Sequence, residues 1–308
     1  MADNIELEHE GSAVRERAFD LVALDLDGTM LDTSGELSEG LLHAVRAASE
    51  QGLVVSVVTG RGKSALLPYL SELGLTTPYV ASGGGYIAYL IGGPVMRCME
   101  FAWEEVVALA KMGRAMGASL FFESAEWMLF ERAPGSTDWS GGERRFTIPV
   151  VDDVLRSAPS APLKVSIVGD PEVLAEVERR VREQLPTLTS AYTAARCIDF
   201  YPAGVSKGSG LALLADQLGL ELRRTAAVGD YYNDLSMFEV AGLAVAMGNA
   251  PPDVQAAADL VAPCNDEGGA AWALKQVLQM STAELVTEAT SGTVWTPVAW
   301  QEKAYQGH

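Results

Sequence analysis

Residues 21–32 read LVALDLDGTMLD. An unbroken apolar run ends in two carboxylates, Asp25 and Asp27, with Gly28 directly after them. A carboxylate at the end of a hydrophobic strand is costly unless something compensates it. A metal ion or a reaction is the usual compensation, so the rest of a site is expected elsewhere in the chain.

Outward from that stretch, the chain alternates strand and helix. FDLVALDLD is a short apolar run typical of a parallel strand buried on both faces. SEGLLHAVRAASEQG has helical spacing and stops at Gly52; LVVSVVTG is a second strand, SALLPYLSELG a second helix and PYVASGG a third strand. The resulting βαβαβ order predicts a parallel sheet. The same grammar returns in SKGSGLALLADQLG, RTAAVGD, NDLSMFEVAG, LAVAMG and APPDVQAAAD, then LVAP and EGGAAWALKQVLQM. Between the halves, an amphipathic helix (FAWEEVVALAKMGRAMG), the strand-like SLFFES, EWMLFER and LKVSIVG, and the helix PEVLAEVERRVREQLP read as a separate α+β unit inserted into the first. The expected organisation is a polar leader over 1–17, a discontinuous core over 18–85 and 201–280, an insert over 86–200 and an extension over 281–308. PGSTDWSGGE reads as an exposed loop of the insert, and Trp295 and Trp300 lie in the extension.

Composition limits the function. The chain has 308 residues, 48% of them hydrophobic, which is ample for buried cores. A net charge of -19 argues against a nucleic-acid surface but not against an anionic substrate, because local cations or a metal can dominate one pocket. Cys98, Cys197 and Cys264 fit no zinc or redox spacing and read as small buried hydrophobes in a reducing compartment. The acidic first twenty residues have no apolar signal core, and no run is long enough to span a bilayer, so the expectation is a cytoplasmic protein without nucleic-acid or membrane partners, a monomer or small homo-oligomer.

In open α/β sheets, ligands bind beyond the carboxyl ends of the strands. Three predicted strands end in polar groups there: Asp25 and Asp27 after the first, Thr59, Gly60 and Arg61 after the second, and Asp230, Asn233 and Asp234 after the AAV strand. Lys207 opens the helix before that last strand. Carboxylates from two loops make a hard oxygen site suited to Mg²⁺. One Asp can attack phosphorus, and a second Asp two residues on can serve as acid and base. Thr59 and Lys207 can meet phosphoryl oxygens. Each residue alone has a plainer reading: strand-end acids in turn hydrogen bonds, helix caps at Thr59, Asp230 and Asp234, a solvated lysine at Lys207, and for Asn249 a turn as readily as a site. TGRGKS lacks the first glycine of a nucleotide-binding P-loop, with Val57 in its place. His9, His43 and His308 show no ligand spacing, and Trp127, Tyr192 and Tyr201 read as packing residues.

DLDGT, VTGR, SKGSGL and GDYYNDLSMF, in that order over about residues 19–275, resemble the four motifs of the haloacid dehalogenase-like (HAD) phosphatases, and the insert resembles the cap of the Cof-type subfamily, which includes sugar-phosphate phosphatases. The resemblance implies a Rossmann-like parallel core with an α+β cap, a small phosphorylated substrate, Mg²⁺, and hydrolysis through an aspartyl-phosphate. It implies Asp25 as nucleophile and metal ligand, and Asp27 as acid/base and, through its carbonyl, metal ligand. Asp230 becomes the remaining metal ligand and Asp234 a supporting acid. Thr59 and Lys207 become the phosphate-binding pair, with Gly60, Arg61 and Asn233 near the substrate. Two departures bear on specificity: Tyr231 stands where a small residue is usual, and SGGG (82–85) where Asn-Gly is common. A phosphotransferase or mutase of the same superfamily, or a non-catalytic sugar-phosphate-binding regulator, are the alternatives; retention of Asp25, Asp27, Lys207 and Asp230 favours an enzyme.

Overall fold

The computed structural model describes residues 17–90, 93–134 and 148–280. Residues 1–16 of the expected leader, the extension over 281–308 and most of the PGSTDWSGGE loop lie outside the described residues.

The chain first lays down β1 (Leu21–Leu24), α1 (Glu39–Glu50), β2 (Val54–Val57), α2 (Lys63–Leu73) and β3 (Tyr79–Ala81). Ser38 caps α1 by accepting from Leu41 N–H, and α2 stops at Gly74 in the left-handed conformation (φ 66°). β4 (Tyr86–Ala88) and β5 (Val95–Cys98) then turn back antiparallel on β3, so 86–98, grouped with the insert on sequence grounds, continues the β3 layer. The reason is Ile87, a fully buried residue of the same apolar cluster as Leu21 and Val80.

The insert follows as α3 (Trp103–Ala115), β6 (Ser119–Glu123), β7 (Met128–Glu131), β8 (Val150–Val151), α4 (Val154–Ser157), β9 (Lys164–Val168), α5 (Pro171–Gln184), β10 (Thr189–Ala194) and β11 (Cys197–Tyr201). Its six strands form one sheet in the order β10-β11-β9-β6-β7-β8, antiparallel except for the β7–β8 pair. One face of that sheet meets α3 and α5 through an apolar cluster including Leu120, Phe122, Val165, Ile167, Ile198 and Phe200, with Trp127 and Tyr192 against it. β6, β9 and β11 therefore carry a buried apolar residue at every second position, and the other face is available to the site.

The chain re-enters the core with α6 (Lys207–Gln217), β12 (Thr225–Gly229), α7 (Leu235–Phe238), β13 (Leu243–Ala246), α8 (Pro252–Ala256), β14 (Leu260–Val261) and α9 (Gly269–Gln279). The core sheet is parallel throughout, in the order β14-β13-β12-β1-β2, and the Val58–Val80 bridge joins β3 beyond β2. β1 is central: it pairs with β12 on one side and β2 on the other. Its Val22 and Leu24 enter the cluster shared with Leu41, Leu66 and Leu274, and its Leu21 and Ala23 enter the opposite one with Leu211 and Met237. A strand buried on both faces has no solvent side to make polar, which is why it reads as a continuous apolar run. No helix among the described residues is long and apolar enough to cross a membrane.

Leu24→Ala removes a fully buried side chain from this central strand and is expected to cost about 2–5 kcal/mol in urea unfolding; a loss under about 1 kcal/mol would contradict the packing described.

Candidate active site

The central strand delivers Asp25 to the carboxyl edge of the sheet, and β12 delivers Asp230 beside it. Between β1 and α1 the backbone turns sharply at Gly28 (φ +72°), where a Cβ would stand 2.2 Å from Asp230 Oδ2. Only glycine allows that approach and that dihedral together. Thr29, the next residue, donates to Asp230 Oδ1 at 3.1 Å, and Asn249 Nδ2 donates to the Gly28 carbonyl at 2.8 Å.

Lys207, the first residue of α6, places its ammonium between two carboxylates: 2.6 Å to Asp25 Oδ1 and 2.6 Å to Asp234 Oδ1. Lys207 is 2% exposed, Asp25 5% and Asp234 0%, so the three form a buried ionic triad rather than a surface pair. Asp234 uses its second oxygen to accept from the backbone N–H groups of Asp230 (2.9 Å) and Tyr231 (3.0 Å). It thereby fixes the loop after β12 and the lysine at once.

On β2's loop, the Thr59 hydroxyl accepts from Arg61 N–H at 3.2 Å and the Thr59 side chain is buried. Arg61 grips Asp27 with both arms of its fork, Nε to Oδ2 at 2.7 Å and Nη2 to Oδ1 at 2.6 Å, and lies 5.3 Å from the Tyr69 ring centroid. Such a bidentate pair is directional as well as strong. Asp25, Asp27, Thr59, Gly60, Arg61, Asp230 and Asn233 all line one cleft of about 580 Å³, a size suited to a small molecule. Lys207 and Asp234 lie behind it and reach it through Asp25 and Asp230. All nine candidate site positions therefore converge on one place. Tyr231 also lines the cleft, its ring edge-on to Tyr232 at 5.0 Å.

Burial pulls the Lys207 ammonium down, but Asp234 and Asp25 more than offset it, and the group stays above the usual lysine range. Burial pushes Asp25 up; Lys207 opposes this, while Asp234, Asp230 and Asp27 add to it. Asp230 is raised to about 7, chiefly by burial and then by Asp234, against the pull of Lys207 and Thr29. An excess of carboxylates held this close and this dry suits a cation. Ligand atoms of Asp25, Asp230 and Asp234 lie within 4.8 Å of one another. Asp234 is committed to Lys207 and two amides, which leaves Asp25 and Asp230 as the carboxylates for a hard divalent ion with all-oxygen ligands.

The residues missed in the sequence are Thr29 and a set from the cap: Glu123 and Phe121 on β6, Lys164 on β9, Asp199 on β11. Glu123, fully buried, accepts from Gly62 N–H and Ser82 Oγ, each at 2.9 Å, and Lys164 Nζ donates to the Gly60 carbonyl at 2.6 Å. One charged residue in register with the non-core positions of each apolar strand was the available signal, but an ordinary solvated sheet face looks the same in sequence.

A family model for haloacid dehalogenase-like hydrolases matches residues 22–274. The Bacillus subtilis (strain 168) protein Phosphatase YwpJ is 30% identical over 294 residues, covering 84% of this chain and 99% of its own length. A haloacid dehalogenase-like hydrolase from Bacteroides thetaiotaomicron superposes with a TM-score of 0.73 at 27% identity, over 84% of this chain and 99% of that one. The HAD subclass IIB sugar phosphatase BT4131 superposes with a TM-score of 0.72 at 25% identity, over 83% and 98%. The chain belongs to the haloacid dehalogenase-like hydrolases, and the enzyme class read from its sequence, phosphoric monoester hydrolase, is the class its relatives carry.

The raised Asp230 gives a pH signature. Its folded value of about 7 lies above the ordinary 3.8, so its stabilising contribution is complete below about pH 4 and is lost as pH rises through about 7. A divalent ion favours the ionised carboxylate, so stabilisation by MgCl₂ over EDTA should grow across that window. Above pH 7, Tm is expected to rise by about 5–10 °C at a hundredfold excess over Kd. A Tm gain that is the same at pH 5 and pH 8, or none at all, would contradict this electrostatic picture.

Proposed function

We propose that the chain is a Mg²⁺-dependent phosphatase acting on a small phosphorylated metabolite of the sugar phosphate class, through an aspartyl-phosphate on Asp25. The observation that carries the reading is Asp25 itself: a buried carboxylate at the end of the central strand, one oxygen pinned by Lys207 at 2.6 Å, facing a cleft of metabolite size. The likeness to the sugar phosphatase BT4131 supports the substrate class.

In this mechanism Lys207 fixes Asp25 Oδ1 and Oδ2 attacks phosphorus. The bond from phosphorus to the leaving oxygen breaks, and Asp27 delivers a proton to that oxygen. A water then loses its proton to Asp27 and attacks phosphorus, the bond to Asp25 breaks, and inorganic phosphate leaves. Thr59 and Lys207 meet the charge on the phosphoryl oxygens. Asp25, Asp230 and the Asp27 carbonyl would hold Mg²⁺, which would supply positive charge against the phosphoryl group and offset the mutual repulsion of the carboxylates. Arg61 has a particular part. Its two hydrogen bonds occupy both oxygens of Asp27 and fix the orientation of the carboxyl group. Delivery of a proton in the first half-reaction requires that grip to loosen when substrate arrives. Asn233 and Gly60 border the substrate, and Asp234 keeps Lys207 and the β12 loop in place.

The test is release of phosphate from p-nitrophenyl phosphate and from sugar monophosphates, with Mg²⁺ and with EDTA. Asp25→Asn is expected to abolish turnover. Asp27→Asn should cost roughly 10²–10⁴ in kcat on sugar phosphates, whose alkoxide leaving groups need a proton, and less on the aryl ester. Full activity of Asp25→Asn, or activity indifferent to EDTA, contradicts the assignment. Glucose-bisphosphate activation with transfer to a sugar would indicate a mutase instead, and sugar-phosphate binding without turnover a regulator.

A further inference from the structure

The cap wall of the cleft has a chemistry of its own. Phe121, Lys164, Ser166, Cys197 and Asp199 line the cleft opposite Asp25 and Asp27. They occupy alternate positions on three adjacent strands, with Phe121 and Asp199 flanking Ser166 in the cross-strand register. The residues between them, Phe122, Val165 and Ile198, are in the cap's own core.

The charged members of this wall differ in what already holds them. Glu123, next to Lys164 in register, is taken by the core through Gly62 and Ser82. Lys164 donates to the Gly60 carbonyl and is shared between Glu123 (3.6 Å) and Asp199 (3.4 Å). Among the described residues, Asp199 accepts from Tyr201 O–H at Oδ2 (3.1 Å) and from the weak Cys197 S–H donor at Oδ1 (3.6 Å), with the Lys164 ammonium 3.4 Å from Oδ2. A carboxylate offers about four lone-pair sites, so acceptor capacity remains on a side chain that is 2% exposed and borders the cleft. Oδ1 is met by the weak thiol donor, so a stronger donor from a substrate would improve its pairing.

The placement of Asp199 depends on the unusual glycine run. A Cβ at Gly83 would lie 2.3 Å from Tyr201 Cζ and 2.4 Å from its hydroxyl. The space that a side chain after β3 would fill is occupied by Tyr201, and its hydroxyl holds Asp199. The charge balance is equally specific. Lys164 lies between Asp199, which lines the cleft, and Glu123, which is bonded to the core, and across the cleft Arg61 is gripped by Asp27. The leaving-group end of the cleft is rich in hydrogen-bond acceptors and carries a formal excess of negative charge.

We infer that Asp199, positioned by Tyr201 over Gly83, is a specificity-determining residue that accepts hydrogen bonds from the hydroxyls of a neutral polyol leaving group and disfavours leaving groups bearing a second phosphate. This rests on the phosphatase reading above. The discrimination follows from a buried acceptor that a hydroxylated substrate pairs better than the thiol alone does, and from like-charge repulsion against a second anion.

The experiment compares kcat/KM for sorbitol 6-phosphate, fructose 1,6-bisphosphate and p-nitrophenyl phosphate in the full chain and in Asp199→Asn and Tyr201→Phe. The wild type is expected to favour the monophosphate over the bisphosphate. Asp199→Asn should lower the ratio of sorbitol 6-phosphate to p-nitrophenyl phosphate by roughly 10- to 100-fold and raise the bisphosphate relative to the monophosphate. Tyr201→Phe keeps the ring over Gly83 and should move the same ratios in the same direction by less. Ratios that stay fixed while all three substrates decline together would make Asp199 merely structural and overturn the inference, as would a wild type that prefers the bisphosphate. A wild type that hydrolyses p-nitrophenyl phosphate while Asp199→Asn leaves its substrate ratios unchanged overturns this inference alone. A wild type inactive on every ester removes the phosphatase reading, and this inference with it.

Discussion

The buried ammonium of Lys207 is the constraint on which the rest of the site depends. A lysine with 2% exposure is tolerated only when its charge is met, and here it is met twice, by Asp25 and by Asp234, each at 2.6 Å. Asp25 follows β1, Asp234 follows β12, and Lys207 opens α6, so the triad forms only when both halves of the discontinuous core are assembled. Removing Lys207 leaves two carboxylates buried without their cation, at a cost of about 3–5 kcal/mol for a broken buried pair. Structure and chemistry are thus set by the same three side chains.

The second constraint runs between cap and core. Glu123 accepts from the first backbone amide before α2, and Lys164 donates to the carbonyl two residues earlier. Both partners lie on the loop that carries Thr59 and Arg61. The cap does not merely cover the cleft; it holds the loop that presents the phosphate-facing threonine and the arginine gripping Asp27. On the core side, carboxylates crowd against each other under burial that raises both Asp25 and Asp230. A divalent cation is the simplest addition that reconciles those charges with each other and with an incoming phosphate.

The parallel core was legible because its strands are buried on both faces and its helices carry clear stops, such as Gly52 and Gly74. The core residues of the site were legible because carboxylates and a threonine stood where apolar strands end and a lysine where a helix opens. Other parts could not be read. The bidentate Arg61–Asp27 pair joins residues 34 positions apart in sequence, and nothing in either local stretch specifies it. β4 and β5 are too short to show a period, and they rejoin the core only because Ile87 is buried there. The cap residues Glu123, Lys164 and Asp199 sit at alternate strand positions, where a solvated face would look identical. Asn249 resembled a turn residue and also donates to the Gly28 carbonyl, a contact 221 residues back in the chain. Long-range pairings of this kind are fixed by the assembled sheet, not by neighbours in sequence.

The central claim is that Asp25 is covalently phosphorylated during turnover. The direct measurement is acid-quench mass spectrometry on the Asp27→Asn variant reacting with p-nitrophenyl phosphate. Nitrophenolate leaves without a proton, so the first half-reaction persists, while the missing base slows hydrolysis of the intermediate and lets it accumulate. The account predicts a phosphoryl group on the peptide containing Asp25, absent when Asp25 is replaced by Asn. Phosphate release with no acyl-phosphate, or with the label on another residue, would contradict it.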